Sequence, residues 1–145
     1  MRIDGPAGYW VSDDPALLDV ARIHGWMSNE SYWALGRSYE VMARAIDHSL
    51  SVGLYAPDGS QAGYARLVTD RATFAWLCDV FVDAAHRGRG LGMFLARAAT
   101  SHPDVASIRQ VLMAEPGRSL YRSMGFRTLI SPERWMERPG GDTPG

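Results

Sequence analysis

The sequence predicts an α/β (α+β) protein built on a mixed, mainly antiparallel twisted sheet of six or seven strands flanked by about four helices. Three observations predict this fold. Strand and helix periodicities alternate in the order β-α-α-β-β-β-α-β-α-β-β along 145 residues. Tight turns join several strands, which pairs those neighbours antiparallel. One strand–helix–strand unit over residues 72–113 requires a right-handed crossover, which makes its two strands parallel if they are neighbours in the sheet.

The first half of the chain predicts one short strand, two helices and a hairpin. Residues 8–12 are typical of a strand, and Pro15, after two aspartates, marks the start of the first helix. The second helix begins near Ser38. Segments 51–56 and 61–69 flank Pro-Asp-Gly-Ser, a turn sequence that predicts a hairpin.

The second half predicts a central strand followed by shorter elements. Residues 72–82 are apolar on both faces except for one aspartate, which indicates a strand covered on both sides. A glycine-rich segment and a helix follow it. We expect the remaining elements to be a strand over 107–113, a short helix over 118–126 that ends at a glycine, and a hairpin of 127–130 with 134–138.

Composition and charge narrow the class of protein. Hydrophobic residues make up 46% of the chain and charged residues 21%, as in an ordinary globular protein. The formal net charge of −1 gives no overall attraction to nucleic acid or to an anionic membrane, so neither is expected as a partner. We expect residues 1–137 to form a single domain and the Pro- and Gly-rich segment 138–145 to be a disordered tail.

The sequence gives no sign of secretion, disulfides or metal binding. Cys78 is the only cysteine, and the four histidines match no zinc-ligand spacing, so no metal site is expected. Residues 1–20 contain four aspartates and lack the apolar core of a signal peptide. No apolar run approaches the roughly 20 residues that cross a bilayer. The expected location is therefore cytoplasmic.

The segment "HRGRGLG", residues 86–92, places three glycines and two arginines between the central strand and the next helix. Main-chain N–H groups at the start of a helix have no intrahelical acceptor, and glycines let an anion approach them closely. Arginine guanidinium groups can pair with phosphate oxygens two at a time. The segment therefore predicts a phosphate site. The alternative is a tight turn that needs glycine for its conformation alone.

Two familiar phosphate loops do not fit this segment, whereas a third pattern does. The P-loop requires Gly-Lys followed by Ser or Thr, and the dinucleotide fingerprint would need a glycine at Met93. The pattern R-x-x-G-x-G fits Arg87, Gly90 and Gly92. In context, "VFVDAAHRGRGLGMFL" resembles the acyl-CoA-binding motif of the GNAT superfamily of N-acyltransferases. The later "SLYRSMGF" resembles the second signature of that superfamily, an aliphatic-Tyr pair followed by Gly-Phe.

The resemblance implies how coenzyme A would bind. The strand before the glycine segment would diverge from its parallel neighbour, which gives the sheet one parallel splayed strand pair. The pyrophosphate would lie on the amides from Gly88 to Met93, and the pantetheine would lie beside the main chain of Val80 to Val82. The implied acyl-CoA-binding residues are Val80, Phe81, Val82, Arg87, Gly88, Arg89, Gly90, Leu91, Gly92 and Met93.

Two residues are candidates for catalysis. The resemblance implies that Tyr121 protonates the coenzyme A sulfur, which a phenol with a pKa of about 10 can do at neutral pH. The alternative for Tyr121 is packing against the sheet. Asp79 is the candidate general base, because a buried unpaired carboxylate has a raised pKa. An equal alternative is a structural anchor paired with an arginine. Glu115 and His86 are weaker base candidates.

One position departs from the family pattern. Many members carry an asparagine that contacts the cofactor seven residues before the tyrosine, and Ala114 stands there in this chain. Arg118 and Ser119 are the nearest polar substitutes.

The resemblance implies that the first two helices and the loop between them shape the acceptor pocket. That loop contains Glu30, Tyr32 and Trp33, the candidate substrate-binding residues. Aromatic faces and one carboxylate could hold an ammonium group. The competing interpretation is an aromatic pair that caps a hydrophobic core.

We therefore expect an N-acetyltransferase that uses acetyl-CoA as cosubstrate and transfers the acetyl group directly to an amine of a small molecule or peptide. The alternative is a non-catalytic acyl-CoA-binding regulatory or sensor domain on the same fold, against which Tyr121 argues. A nucleic-acid-binding module is disfavoured, because the chain has no net positive charge to reinforce the basic stripe of Arg87, Arg89 and Arg97. A homodimer is compatible with the resemblance.

Overall fold

The computed structural model describes residues 1–114 and 117–141, which share one six-stranded sheet with the strands side by side in chain order. The strands are β1 (Arg2–Asp4), β2 (Trp10–Ser12), β3 (Leu50–Tyr55), β4 (Gln61–Thr69), β5 (Phe74–Val82) and β6 (Arg109–Leu112). Neighbouring strands pair antiparallel from β1 through β5, and β5 pairs parallel with β6. The predicted mixed, mainly antiparallel sheet is confirmed.

Four α-helices accompany the sheet, as the sequence predicts. They are α1 (Val20–Asn29), α2 (Tyr39–Asp47), α3 (Leu91–Thr100) and α4 (Arg118–Arg122). The first helix begins later than expected, because Pro15 opens a separate 3-10 turn and Asp19 caps α1 by accepting a hydrogen bond from the N–H of Arg22. None of the described helices is both long enough and apolar enough to cross a membrane.

Two hydrophobic cores cover the faces of the sheet. The core on the α3 side includes Val52, Leu54, Leu67, Ala75, Leu77, Leu91 and Leu95. The core on the α1/α2 side includes Ile23, Trp26, Met27, Met42, Ile46, Tyr64 and Phe81. Both cores contain residues of β4 and β5, so these two strands are packed on both faces.

A bulge in β5 exchanges the faces of that strand. The register passes from Arg66 opposite Cys78 to Tyr64 opposite Phe81, which leaves one extra residue in β5. Asp79 lies at this point with a φ of 52°, a left-handed conformation that residues other than glycine rarely adopt. Before the bulge the odd-numbered side chains join the α3-side core, whereas after it Phe81 joins the α1/α2-side core. The bulge therefore redirects the end of β5.

The last predicted hairpin is wrong. The described residues of 127–138 contain no strand, and Pro132–Arg134 is a 3-10 turn. The tryptophan in this region is held by side-chain contacts instead: Trp135 stacks on Phe74 with 6.4 Å between ring centroids and lies 4.8 Å from the guanidinium of Arg109. In the predicted tail, residues 138–141 form neither helix nor strand, and residues 142–145 lie outside the described residues.

Candidate active site

Strands β5 and β6, the last pair in the sheet, separate partway along β5. Their pairing ends with Leu77 opposite Leu112, although β5 continues to Val82. The edge of β5 from Cys78 to Val82 therefore has no strand beside it on the β6 side within the described residues. A cavity of about 890 Å³ opens there. Its walls include Trp33, Asp79, Val80, Leu112, Ala114 and Tyr121.

The glycine segment forms the turn from β5 into α3. Gly88 and Gly90 have positive φ values of 77° and 74°, and Gly90 is the N-cap of α3. A tight turn thus explains these two glycines. It does not explain Gly92, which lies inside the first turn of α3 without a positive φ, and where an added Cβ would meet nothing within 4 Å. The missing side chain at Gly92 leaves open space above the helix start.

The main-chain N–H groups of this turn are free to bind a ligand. Hydrogen bonding within α3 begins with the N–H of Phe94, which donates to the carbonyl of Gly90. Within residues 1–114 and 117–141, the six N–H groups from Gly88 through Met93 have no acceptor. Six free donors at a helix start, beside open space at Gly92, could bind an anion with several oxygens, such as a diphosphate.

The two arginines of the turn differ in their surroundings. Arg87 donates from Nε to the carbonyl of Val82 at 2.8 Å, and its guanidinium lies 5.0 Å from the ring centroid of Phe81. Arg87 therefore closes the end of β5 as well as adding charge near the turn. Arg89 is exposed and makes no hydrogen bond or ion pair with any described residue. Arg89 is thus the arginine better able to reach a bound anion.

Tyr121 lies on α4 in the wall of the cavity. A Schellman turn fixes the end of this helix, since the N–H of Phe126 donates to the carbonyl of Tyr121 and the N–H of Gly125 donates to the carbonyl of Arg122, both at 3.1 Å. The tyrosine ring is half-buried and meets Phe126 edge-on at 6.0 Å. Burial, and to a smaller extent Tyr32, raise the pKa of the Tyr121 phenol above its ordinary value. The phenol therefore keeps its proton at neutral pH.

Asp79 is paired with two arginines, which is the anchor alternative, and its pKa is therefore lowered rather than raised. Its Oδ2 accepts hydrogen bonds from Arg37 and Arg66, each at 2.8 Å, and its Oδ1 accepts one from the indole N–H of Trp33 at 3.0 Å. Burial alone would raise the pKa of Asp79, but the two arginines outweigh burial and hold the pKa below its usual value. A carboxylate held in this way is a weak base, and the geometry favours the anchor interpretation.

The candidate substrate residues do not all meet at the cavity. Tyr32 and Trp33 line it, and their rings pack edge to face with 4.9 Å between centroids. Glu30 is exposed at the end of α1 and does not line the cavity. The expected carboxylate for an ammonium group is therefore not supplied by Glu30.

Comparison with known proteins identifies the family. Residues 49–128 match the family described as the acetyltransferase (GNAT) domain, and this match spans more than half of the chain. The chain belongs to the GNAT acetyltransferase family. A crystallised protein from Xanthomonas campestris pv. campestris assigned to the same family is 40% identical, with a TM-score of 0.88 over 94% of this chain and 96% of that protein.

Other relatives of this GNAT protein are more distant. The Gibberella zeae protein FG08082, which carries a provisional acetyltransferase name, is 31% identical over 105 residues. That match covers 60% of this chain and 59% of the Gibberella protein, so the chain spans about three fifths of that relative's length. Rv2747 from Mycobacterium tuberculosis, crystallised in complex with CoA, has the same fold, with a TM-score of 0.65 at 18% identity over 82% of this chain and 72% of that protein.

Three other side chains of this GNAT chain were considered for catalysis: His86, Cys78 and Glu115. The Nδ1 of His86 shares a 2.7 Å hydrogen bond with the hydroxyl of Tyr9. Burial raises the pKa of the Cys78 thiol to about 12, so it carries no thiolate at neutral pH. Glu115 lies outside the described residues.

Sequence reasoning missed Arg37 and Arg66. Arg37 precedes α2, 42 residues before Asp79, and Arg66 lies on the strand beside Asp79. Nothing in either local sequence distinguishes them from surface arginines. The one available signal is Asp79 itself, because a carboxylate in an apolar strand needs a cationic partner.

Proposed function

We propose that this protein is an acetyl-CoA-dependent N-acetyltransferase that transfers the acetyl group directly to an amine. One observation carries the proposal: six unpaired main-chain N–H groups, Gly88 through Met93, follow a strand whose free edge borders a cavity that contains Tyr121. Membership of the GNAT family supports the same activity.

The turn before α3 would bind the diphosphate of coenzyme A. Its N–H groups and the positive end of the helix dipole suit an anion, and a side chain at Gly92 would occupy the space such a ligand needs. Arg89 would add charge at the rim. In Rv2747, which shares the fold, CoA was crystallised with the protein, and this supports the cofactor class.

The free edge of β5 would orient the rest of the cofactor. Between Cys78 and Val82 the main chain has no strand partner on the β6 side among the described residues, so main-chain groups of the segment Val80 to Val82 would pair with an amide-containing ligand as a neighbouring strand would. The side chains of Val80 and Val82 pack against the α3-side core, and that of Phe81 belongs to the α1/α2-side core. Their contribution to binding would therefore come from the main chain.

Acetyl-CoA, when bound, would supply the acetyl group as an activated thioester. Tyr121 would hold its proton on Oη at neutral pH and donate it to the leaving sulfur. Asp79 would act as a positioning residue, because its bonds to Arg66 and Trp33 fix the bulge and the α1–α2 connection relative to each other. The neutral amine would form a bond from its nitrogen to the thioester carbon while the carbon–sulfur bond breaks, so no covalent enzyme intermediate is required. The proton that the nitrogen loses would pass through water to the Tyr121 oxygen, which restores the phenol.

Binding and turnover distinguish this proposal from a sensor domain. Coenzyme A at 100 times its Kd should stabilise the protein by about 2.7 kcal/mol, visible as a higher Tm. Thiol release from acetyl-CoA should then depend on an added amine. Binding without thiol release across a broad amine panel would favour the non-catalytic alternative, and a Tm unchanged by coenzyme A would contradict both.

A further inference from the structure

The described charged residues that line the cavity are almost all cationic. Five are arginines and one is an aspartate: Arg37, Arg66, Arg118, Arg122, Arg127 and Asp79. The protein as a whole has a net charge of −1, so this excess of positive charge is local. A cavity with this charge attracts an anionic ligand and repels a purely cationic one.

Three of these charged residues, Arg37, Arg66 and Asp79, are buried, and their charges do not balance. The side chains of Arg37 and Arg66 are 4% and 10% exposed, and Asp79 is 1% exposed. Both arginines pair with the same oxygen of Asp79, and neither has another carboxylate partner among the described residues. Two positive charges therefore share one negative charge in a buried cluster. An uncompensated charge in such surroundings is costly unless a ligand balances it.

Donor groups remain available on both arginines. Arg37 uses one nitrogen, which donates to Asp79 and also contacts the sulfur of Met42. Arg66 uses Nε for Asp79 and one terminal nitrogen for the hydroxyl of Ser49. The Nε and Nη2 of Arg37 and the Nη2 of Arg66 have no acceptor in the described part of the chain. Guanidinium groups with spare donors bind carboxylate and phosphate oxygens well.

Resting on the proposed function, we infer that the acceptor amine carries an anionic group, a carboxylate or a phosphate, which binds the arginines of this cavity. The acceptor class is then an amino acid or a phosphorylated amine rather than a polyamine. In the buried cluster of Arg37, Arg66 and Asp79, the aspartate would fix the bulge, and the excess positive charge of the arginines would orient the acceptor.

Matched acceptor pairs test this inference on the wild-type protein. One arm compares alanine, methionine, phenylalanine and glutamine with their α-amides, and the other compares phosphoethanolamine with ethanolamine, all at saturating acetyl-CoA. We measure kcat/KM from the rate of thiol release. We expect it to be higher, by on the order of tenfold or more, for the anionic member of the active pair. The arm that responds identifies the anion. Equal or higher kcat/KM for the members that lack the anionic group would overturn the inference while leaving the acetyltransferase proposal intact.

A binding experiment distinguishes a failure of the anionic-acceptor inference from a failure of the acetyltransferase proposal. The same pairs are titrated into the CoA-loaded protein, and the Tm is followed. We expect only the members with a carboxylate or a phosphate to raise the Tm, even if the panel yields no turnover. Stabilisation to the same extent by the members that lack this group would again overturn the inference. Absence of thiol release with every amine would instead count against the proposed function.

A conservative variant tests whether the preference for anionic acceptors depends on the buried arginines Arg37 and Arg66. Arg37→Lys keeps the charge but loses the planar fork, and should raise the KM of the anionic acceptor more than the KM of its partner that lacks the anion. Arg97→Gln, at an exposed position on α3 outside the cavity, is the matched control. Arg66→Lys is the second variant if Arg37→Lys fails to fold, and an unchanged KM ratio in the folded variant would contradict the assignment.

Discussion

Arg66 donates a 2.8 Å hydrogen bond from Nε to Oδ2 of Asp79 across the bulge in β5. The bond joins β4, which contacts both cores, to Asp79, the residue at which β5 turns away from β6. Arg37 completes the arrangement from the connection before α2. A buried ion cluster of Arg37, Arg66 and Asp79 therefore lies at the free edge of β5 and in the wall of the cavity.

Removing the charge of Asp79 should destabilise the fold strongly. In Asp79→Asn, Arg37 and Arg66 would be buried without a counter-charge, and breaking such a cluster costs about 3–5 kcal/mol. Urea unfolding at pH 7 measures the loss. Asp47→Asn, at an exposed position on α2, should change stability by no more than about 0.5 kcal/mol. A loss of similar size in both variants would show that the cluster is not the anchor.

The same variant predicts a pH dependence. The pKa of Asp79 is lower in the folded protein than in the unfolded chain, so ionisation favours folding. Its contribution is complete above about pH 4 and is lost as the pH falls through the lower folded pKa. The difference in unfolding free energy between wild type and Asp79→Asn should therefore narrow below pH 4. A constant difference from pH 7 to pH 3 would contradict this.

Replacing the Tyr121 hydroxyl should reduce turnover without weakening cofactor binding. General acids contribute about 10²- to 10⁴-fold, so Tyr121→Phe should lower kcat by an amount in that range. The Kd for coenzyme A, measured by calorimetry, should stay within about twofold of wild type, because the ring is retained. Tyr39→Phe, at a tyrosine 47% exposed on α2, is the control and should have wild-type kcat. A wild-type kcat in Tyr121→Phe would remove the acid from the mechanism.

Gly92→Ala separates the demands of folding from those of binding. Alanine in a helix is about 0.5–1 kcal/mol more favourable than glycine, and an added Cβ meets nothing, so the free protein should become more stable. The methyl group would occupy ligand space, so coenzyme A should bind more weakly. Gly25→Ala on α1, where a Cβ also meets nothing, should give the stability gain alone. Unchanged coenzyme A affinity in Gly92→Ala would favour the turn-only interpretation of the glycines.

The parts of this molecule that the sequence predicted are those encoded locally. The hairpin turn follows from its own residues: the N–H of Gly59 donates to the carbonyl of Ala56, and Gly59 has a φ of 89°. The central strand and the glycine turn carry equally local signals. β1, by contrast, was not predicted, because Arg2–Asp4 is a short, charged edge strand defined only by its pairing with β2.

The ion cluster could not be predicted, and the last hairpin was predicted wrongly, because tertiary contacts determine both regions. Asp79 could be singled out, but its partner Arg37 arrives through a contact between residues far apart in the chain. The apolar residues near Trp135 suggested strands, yet in the structure Trp135 packs against Phe74 at the start of β5 without joining a ladder. Tertiary contacts decided both outcomes.

The central claim is that the N–H groups from Gly88 to Met93 bind the diphosphate of coenzyme A. Amide ¹H–¹⁵N chemical shifts, recorded during titration with coenzyme A and separately with pantetheine, which lacks the phosphates, test it most directly. We predict large shifts for Gly88, Gly90 and Gly92 with coenzyme A and small ones with pantetheine. Coenzyme A binding that leaves these three amides unmoved would contradict the account.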